Sequence, residues 1–382
     1  MINNSVLKKY SEFITLGIGK EVHQPDTFLR DIHNDYIKNN KKNIGEALYI
    51  TWYLTDVCNL NCFFCSAKAL CGKKSVKYKN TMKIAEKIAS SSCLYVSILG
   101  GEPTLCEDLL NIVKLFNAKH IFTEIVSNGF GIDDKFVSEL LRLNSDLIRI
   151  KLSLDSCVEF INDSMRGMGS FANVMKALDV LKNTKIDVRL QMVVTNANKH
   201  QIYDMYKLAE SKNCNSFGFS AVMPIGRGVK VSMIKIDQEI LDQLIKIRRE
   251  EKNTKLQQYN LGTDNYRYMK QLFGTVDNLG LDGENLSILK CNACRYRLCV
   301  SKDGDVFPCD MTRFDEFKLG NILKTDLKKM MKSKKAKSFN KITKKTKVKC
   351  KDCKYKWCNS GCFGICYEQS KYTGKIQPMC EI

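Results

Sequence analysis

Short apolar runs alternate with longer amphipathic stretches between residues 48 and 222. Six of the runs are rich in β-branched and aromatic residues, which is typical of strands, and they lie at 48–54, 94–99, 121–126, 148–154, 187–194 and 216–222. The stretches between them carry apolar residues at helical spacing, as in Phe136, Val137, Leu140 and Leu141. Alternating strands and helices predict an α/β fold with a parallel sheet. Their number and spacing favour a partial (β/α)6 barrel over a doubly wound sheet, with the chemistry at the loops after the strands.

The segments on either side of the predicted barrel, which we place at residues 47–235, differ from it in composition. Residues 1–46 are polar and are expected to form a helical lead-in, and an amphipathic run at 240–249 belongs to a bridging helical segment at 236–285. Residues 286–382 contain ten cysteines and few periodic apolar runs. Because this segment has too little apolar content for a core of its own, we predict a second domain that is held together by metal.

Cysteine content and hydropathy narrow the class of protein. The chain has 382 residues, with 18 cysteines against 4 histidines and a formal net charge of +20. No apolar run approaches the ~18 residues that span a bilayer, and the N-terminus lacks a signal-peptide core, so we expect a cytoplasmic protein without membrane contact. Since disulfides rarely persist in the cytosol, so many cysteines indicate metal or redox chemistry. The few histidines disfavour a histidine-based catalytic triad.

The first cysteine group directly follows the first predicted strand. Cys58, Cys62 and Cys65 have the spacing CxxxCxxC on one loop. Three thiolates at this spacing can hold three irons of a 4Fe–4S cluster and leave the fourth iron open to bind and activate a ligand. The alternative is a structural zinc site, to which Cys71 could contribute the fourth ligand.

The loop and the strand after it resemble the radical S-adenosylmethionine (SAM) superfamily. In that family the first barrel strand is followed by CxxxCxxC, and the second strand ends in a GGEP segment, which is present here as Gly100, Gly101, Glu102 and Pro103. The resemblance implies that SAM binds at the open iron and that this segment contacts the methionine amino group of SAM. Glycine permits a close approach of the backbone, and a carboxylate accepts hydrogen bonds from an ammonium group.

Polar residues at the ends of later strands extend this resemblance. Ser127 and Asn128 end the third predicted strand, where the family often has a polar turn near the ribose of SAM. By the same resemblance, Ser153 and Arg166 are candidates for the ribose and the carboxylate of SAM, since arginine binds carboxylates through two parallel hydrogen bonds. Asn196 is a further candidate. The alternative for each is an ordinary turn residue or a surface ion pair.

The C-terminal cysteines resemble the SPASM domain, which follows the barrel in one branch of the superfamily, although their spacing alone also fits zinc ribbons. The resemblance implies two auxiliary 4Fe–4S clusters, and therefore three clusters in the chain. By position the first would take Cys291, Cys294, Cys309 and Cys362, and the second Cys350, Cys353, Cys358 and Cys380. Cys299 is an alternative ligand for the first cluster and Cys366 for the second. The interval from Cys353 to Cys358 is one residue shorter than the family pattern.

Asp310 directly follows one of these proposed ligands. In related enzymes that modify sulfatases, an aspartate at this place acts as a base. The resemblance therefore implies that Asp310 accepts the proton that is lost when the substrate radical is oxidised. The alternative is a local cap, or an ion pair with Arg313 or a nearby lysine.

Positive charge is concentrated between Lys324 and Lys356, where 15 lysines accompany two acidic residues. Such a run can bind nucleic acid or another acidic partner, or it can form a solvated helix face. Few aromatic residues interrupt it and lysine outnumbers arginine, which makes nucleic acid the less favoured partner. We expect an acidic peptide or protein substrate, and an acidic electron donor such as flavodoxin or ferredoxin.

These patterns predict a radical SAM enzyme with a SPASM domain. The resemblance implies that SAM is reductively cleaved to a 5′-deoxyadenosyl radical, which abstracts a substrate hydrogen, and that the auxiliary clusters take the released electron. Most relatives with this layout modify peptides or proteins by thioether or carbon–carbon crosslinks or by residue oxidation. The lead-in is shorter than a winged-helix leader-binding domain, which weakens the peptide hypothesis. The alternatives are a sugar or tetrapyrrole substrate, a zinc-stabilised nucleic-acid-binding protein, and a non-catalytic electron carrier.

Overall fold

The structure is a computed structural model, and it describes residues 45–231, 237–251, 257–261, 291–345 and 362–373. In chain order its strands are β1 (Tyr49–Thr55), β2 (Val57–Cys58), β3 (Leu70–Cys71), β4 (Tyr95–Gly100), β5 (Phe122–Ser127), β6 (Ile148–Ser153), β7 (Asp187–Val194), β8 (Ser216–Ala221), β9 (Gln257–Leu261), β10 (Arg297–Val300), β11 (Asp305–Phe307) and β12 (Gly320–Asn321). The six predicted strands are confirmed as β1 and β4 to β8, with ends that differ from the prediction by at most one residue.

Helices lie between these strands, as the apolar spacing predicts. They are α1 (Thr81–Ala89), α2 (Leu109–Ala118), α3 (Asp134–Leu141), α4 (Glu159–Arg166), α5 (Ser170–Leu181), α6 (Ile202–Ser211), α7 (Gln238–Glu251), α8 (Leu327–Lys332), α9 (Lys334–Lys345) and α10 (Phe363–Thr373). Helix α3 begins with a capping interaction, in which the Asp133 carboxylate accepts from the Phe136 N–H at 2.8 Å.

Ten strands form one sheet, in the order β12-β11-β10-β1-β4-β5-β6-β7-β8-β9, and β2 and β3 form a separate parallel pair. Neighbouring strands from β10 to β9 are parallel, whereas β11 is antiparallel to both β10 and β12. The six-stranded α/β barrel segment is as predicted. The sheet continues past it on both sides, because β9 from the bridging segment pairs with β8 and β10 from the cysteine-rich segment pairs with β1.

The main core lies between the outer face of the sheet and the helices. Trp52 of β1 and Phe116 of α2 are fully buried there, with ring centroids 6.2 Å apart. Each such side chain contributes about 2–3 kcal/mol of transfer free energy. Because the parallel strands all point the same way, their carboxyl ends meet at one edge, which brings the polar loops together.

The lysine-rich segment forms two short amphipathic helices, α8 and α9. Leu327, Met330 and Phe339 are buried, while the lysines of the described part are exposed to solvent. This arrangement is that of a solvated helix face. None of the helices in the described residues is long and apolar enough to cross a membrane.

Some predicted features lie outside the described residues. They include nearly all of the lead-in, most of the bridging segment, and the proposed ligands Cys350, Cys353, Cys358 and Cys380.

Candidate active site and auxiliary cluster site

A cavity of about 300 Å³ lies at the carboxyl ends of the barrel strands. Eleven of the predicted site residues line it, from six separate stretches of the chain: Cys58, Cys62, Cys65, Gly100, Gly101, Glu102, Ser127, Asn128, Ser153, Arg166 and Asp310. Pro103 does not line it but is buried at the start of a 3-10 turn, and Asn196 is exposed and outside it. Residues that are far apart in sequence therefore share one small cavity.

The glycine pair at the end of β4 packs directly on the cysteine loop. The Gly101 N–H donates to the Thr55 carbonyl at 2.7 Å, and the Glu102 N–H donates to the Val57 carbonyl at 2.8 Å. A Cβ atom on Gly101 would lie 1.9 Å from the Val57 carbonyl oxygen, and one on Gly100 would lie 2.2 Å from that of Thr55. Glycine is thus required for the contact between two stretches of backbone.

Glu102 is fully buried at the centre of a hydrogen-bond network. Its carboxylate accepts from the Ser127 hydroxyl, the Asn128 N–H and the Thr104 hydroxyl, each at 2.8 Å. Burial raises the pKa of Glu102, although these donors and the Thr104 N–H lower it in part. Thr104 was not singled out by sequence analysis, because a threonine after GGEP has no signature of its own.

Asn128 connects this network to the first cysteine. Its side-chain amide donates to the Asn59 carbonyl oxygen at 2.8 Å and to the Cys58 sulfur at 3.7 Å. The Leu60 N–H donates to the same sulfur at 3.4 Å. Donors directed at a sulfur favour its thiolate form and are one means by which proteins adjust iron–sulfur clusters.

Arg166 lines the cavity from the end of α4, and Asp155 holds its guanidinium. The two side chains form an ion pair, with the Nη2 atom 2.9 Å from Oδ1 and the Nε atom 2.6 Å from Oδ2. Burial lowers the pKa of Arg166, but Asp155 and the Cys62 thiol raise it by more, so the arginine stays charged. The alternative for Arg166 was a surface ion pair, but the pair with Asp155 is buried and orients a cation beside the cysteine loop.

Arg227 is a site residue that sequence analysis missed. It lies in the loop after β8, and its main-chain N–H donates to the Cys65 carbonyl at 2.9 Å. Its side chain donates to the carbonyls of Cys62 at 2.8 Å and Ala69 at 3.0 Å. Gly226 lies so close that a Cβ there would be 2.5 Å from the Cys65 carbonyl oxygen. The signal in the sequence was the Gly226-Arg227 pair after a strand, but a single sequence does not assign its partner.

The three thiols of the loop fit an iron–sulfur cluster that is open on one side. They line one cavity wall together, and two N–H donors are directed at the Cys58 sulfur. In the described part of the chain, no three cysteine, histidine or acidic side chains converge closely enough to hold a single metal ion. Cys71, the proposed fourth zinc ligand, is exposed on β3 and does not line the cavity.

Four of the C-terminal cysteines lie near one another, and Asp310 is close to one of them, Cys309. Burial raises the pKa of Cys309 strongly, and Asp310, Cys362 and Cys291 raise it further through their charge. Burial likewise raises the pKa of Cys294 to about 12, with Cys291 adding to the shift. These are the four cysteines that the resemblance assigned to the first auxiliary cluster.

Cys299, the alternative ligand, has a different environment. It is fully buried on β10 and packs against Tyr53 and Phe307. Burial raises its pKa, and the charged groups that act on it are Arg313, Asp310 and Arg297, with no thiol among the described neighbours. Cys366 is buried in α10, where its N–H donates to the Cys362 carbonyl at 3.1 Å.

Asp310 lies between the cavity and this cysteine group. Its carboxylate is 3.0 Å from the Nη2 atom of Arg297, and its main-chain carbonyl accepts from Arg313 at 3.3 Å. The Arg313 guanidinium stacks 3.5 Å above the ring of Tyr53, which also lines the cavity. The ion pair that sequence analysis gave as the alternative role is thus formed with Arg297, and the carboxylate still borders the cavity.

Comparison with known proteins identifies the family. The radical SAM superfamily model matches residues 52–209, and the SPASM model, an iron–sulfur cluster-binding domain, matches residues 291–354. The chain thus contains a radical SAM domain. It is therefore an enzyme of the class that uses SAM and 4Fe–4S clusters, and it carries a SPASM domain.

Curated radical SAM relatives match most of the chain. The mycofactocin maturase MftC of Mycolicibacterium smegmatis is 26% identical over 291 residues, which cover 75% of this chain and 70% of that protein. A cysteine-type anaerobic sulfatase-maturating enzyme of Clostridium perfringens is 26% identical over 333 residues, covering 80% of this chain and 85% of that protein.

Solved radical SAM structures share the fold. Streptococcus suis SuiB bound to S-adenosylmethionine superposes with a TM-score of 0.69 at 19% identity, over 98% of this chain and 86% of that one. The enzyme anSMEcpe with bound AdoMet superposes with a TM-score of 0.60 at 21% identity, over 83% and 86% of the two chains.

Proposed function

We propose that this radical SAM enzyme modifies a peptide or protein, by a thioether or carbon–carbon crosslink or by residue oxidation. Two named relatives, the mycofactocin maturase and the sulfatase-maturating enzyme, support a peptide or protein substrate. This chain shares the fold of SuiB, and a structure of SuiB bound to the precursor peptide SuiA agrees with that substrate class.

In this proposal the cavity binds the open cluster together with SAM. Cys58, Cys62 and Cys65 hold three irons, and the Glu102 carboxylate faces the amino group of SAM. Arg166, oriented by Asp155, pairs with the carboxylate of SAM. Ser127, Asn128 and Ser153 lie toward the ribose. When bound, the cluster and SAM supply a 5′-deoxyadenosyl radical that abstracts a hydrogen atom from the substrate.

The remaining steps belong to Asp310 and to the auxiliary clusters. Forming a crosslink removes two hydrogens from the substrate, the first as an atom and the second as a proton, and leaves one electron to be accepted. Asp310 borders the cavity and directly follows Cys309, so it is placed to take the proton beside the first auxiliary cluster. Cys291, Cys294, Cys309 and Cys362 would hold that cluster, which would supply an acceptor for the electron. The other four C-terminal ligands hold a second one.

We also propose an acidic partner for the exposed lysines of α8 and α9. In the described part of these helices the lysines face solvent over a buried apolar side. A surface of this kind attracts an acidic peptide or an acidic electron donor such as flavodoxin or ferredoxin. A cytoplasmic location is part of the same proposal, because the clusters and free thiols need a reducing compartment.

The observation that carries the proposal is the single cavity shared by the three loop cysteines, Glu102, Arg166 and Asp310. To test it, the enzyme is co-expressed anaerobically with each short open reading frame near its gene, and each peptide is weighed by mass spectrometry. We expect the wild-type enzyme to produce a peptide that is lighter by two hydrogens. With the Asp310→Asn variant the peptide should keep both hydrogens. Unchanged peptides, with consumption of a sugar or a tetrapyrrole instead, would contradict the proposed substrate class.

Cluster content is tested on the same protein. About 12 iron atoms per chain are expected from three 4Fe–4S clusters, with zinc absent. Zinc in place of iron would contradict both the cluster assignment and the function.

A further inference from the structure

Half-buried side chains extend further down the inner face of the barrel on β6 and β7 than on β4 and β5. Ser97 of β4 and Glu124 of β5 point inward and are buried. On β6 to β8, by contrast, inward-facing side chains are only half-buried: Lys151, Ser153, Gln191, Val193 and Ser220. Strand residues two apart share a face, so Lys151 lies on the same side of β6 as Ser153, about 7 Å deeper. A cleft therefore continues from the cavity along β6 to β8.

Lys151 is at the bottom of this cleft. Its side chain is 22% exposed, whereas Tyr95, Glu124 and Arg149, which lie level with it or below it, are each 3% exposed. Val126, which pairs with Lys151 in the sheet, lines the cavity. The cavity therefore reaches the level of Lys151, and we take the exposed part of this side chain to border its deep end.

Lys151 belongs to a buried ionic network. Its ammonium nitrogen is 3.4 Å from Glu124, whose other oxygen is 3.9 Å from both Arg149 and Arg189. Arg149 is also paired with Asp187. Among the described side chains, Glu124 is thus shared by all three cations.

Lys151 keeps donor capacity toward the cleft. An ammonium has three N–H donors, and its hydrogen bond to Glu124 uses one. Burial lowers the pKa of Lys151 and the two arginines add to this, while Glu124 raises it. An anion bound in the cleft would favour the charged ammonium and form a strong hydrogen bond in a medium of low dielectric constant.

We propose that Lys151 anchors a carboxylate of the peptide substrate, either an acidic side chain or the C-terminal carboxylate. This inference rests on the proposed peptide-modifying function. The anchored group would lie deeper in the barrel than Ser153, so that a neighbouring part of the peptide faces the reactive end of the cavity. Lys151 is then a specificity-determining residue, separate from the residues that hold the cluster and SAM.

Affinity selection tests this assignment. Immobilised holoenzyme with SAM is incubated with a synthetic library of N-acetylated nonapeptides, whose central residue is Glu or Gln and whose C-terminus is an acid or an amide. Retained peptides are quantified by mass spectrometry. For one of the two carboxylate positions, the acid is expected to be retained about tenfold over its neutral counterpart, which corresponds to the lower end of the strength of a hydrogen bond to a charged group. The position that shows this preference identifies the source of the carboxylate.

Two variants separate Lys151 from the general surface charge. Lys151→Gln removes the charge but keeps a donor for Glu124. The retention of the acid peptide over its neutral counterpart is then expected to fall to the ratio for an uncharged cleft. Lys114→Met, which removes an exposed lysine on α2, should leave it unchanged. If Lys151→Gln does not fold, the double variant Lys151→Met with Glu124→Met, which removes both charges, takes its place in the test. An equal preference in wild type and Lys151→Gln, or none in the wild type, overturns the assignment.

The same proteins separate this inference from the proposed function. SAM cleavage without peptide, measured as 5′-deoxyadenosine, should be equal in wild type and Lys151→Gln. If SAM is cleaved but retention does not depend on Lys151, only the carboxylate anchor fails. If the wild type does not cleave SAM, the proposed function fails whatever the library shows.

Discussion

The polar side chains of the cavity hold one another in place. Ser127, expected near the ribose of SAM, directs its hydroxyl at Glu102, and Asn128 directs its amide at Asn59 and Cys58. Arg166 is oriented in the same way by Asp155. Each of these groups has a fixed geometry without any ligand, which reduces the ordering cost of binding a cluster and SAM. At the scale of single residues, the site is therefore preorganised.

Arg227 gives the first prediction, because it fastens the loop that carries the three cysteines. Replacing it with Met removes two hydrogen bonds from a charged donor to buried carbonyls, which are worth about 1.5–3 kcal/mol each. We expect the variant to lose iron from this loop faster under a chelator and to unfold at a lower temperature. Iron release, followed optically under anaerobic conditions, measures the effect.

Arg142→Met is the matched control, since Arg142 is exposed on the outside of the barrel and pairs only with Glu139 in the described structure. It should release iron at the wild-type rate. Equal rates for Arg227→Met and the wild type would show that Arg227 does not stabilise the cysteine loop.

Among the elements, the turn that ends β4 has the least tolerance for change. Two of its N–H groups donate to the backbone around the cysteine loop, and its glycines leave no room for a side chain. The turn thereby fixes the position of Glu102 relative to Cys58. A shift of this turn would disturb the cluster ligands and the proposed SAM contacts together.

Gly101→Ala gives the second prediction. The new methyl group would lie 1.9 Å from the Val57 carbonyl oxygen, so the turn must move away from the cysteine loop. We expect a loss of about 3 kcal/mol of unfolding free energy, at the upper end of the cost of overpacking, and reduced iron content. Anaerobic chemical denaturation and iron analysis measure the two effects.

Gly169→Ala is the comparison for that variant. Gly169 has a φ of +78° but nothing within 4 Å of a new Cβ, so only backbone strain of about 1 kcal/mol is expected. Its iron content should match the wild type. If Gly101→Ala is no worse than Gly169→Ala, the close contact at the turn is unimportant.

The strands and helices of the barrel were predictable because their signals are local. Alternating apolar runs such as those of β4 and β7 fix strand positions to within one residue. The cysteine loop and the GGEP turn were predictable for the same reason. The pairing of β10 with β1, the Arg227 contacts and the Asp155–Arg166 pair join residues far apart in sequence, so local patterns do not specify them.

Seen as a whole molecule, the barrel has an apolar outer core and a charged interior. Glu124 is the anion shared by Lys151, Arg189 and Arg149 within the inner face. Burial raises the pKa of Glu124, but the three cations lower it by more, to about 2. The inner face of the barrel therefore contains an ionic network whose stability depends on the charge of Glu124.

Acid sensitivity gives the third prediction. The folded-state pKa of Glu124 lies below its unfolded value, so its contribution is fully present above about pH 5 and is lost as pH falls toward 2. We expect Glu124→Gln to lower the unfolding free energy by about 3 kcal/mol at pH 7, and by less as pH falls below about 4.5. Denaturation at several pH values measures this, and a difference independent of pH would contradict it.

The central claim is that the protein cleaves SAM in the cavity that Cys58, Cys62 and Cys65 line. The most direct test is the amount of 5′-deoxyadenosine that anaerobically reconstituted protein forms from SAM and dithionite. We predict that wild type and Cys71→Ala form it at equal rates, and that replacing Cys58, Cys62 and Cys65 together with alanine abolishes it. No 5′-deoxyadenosine from the wild type, or an undiminished amount from the triple variant, would contradict the account.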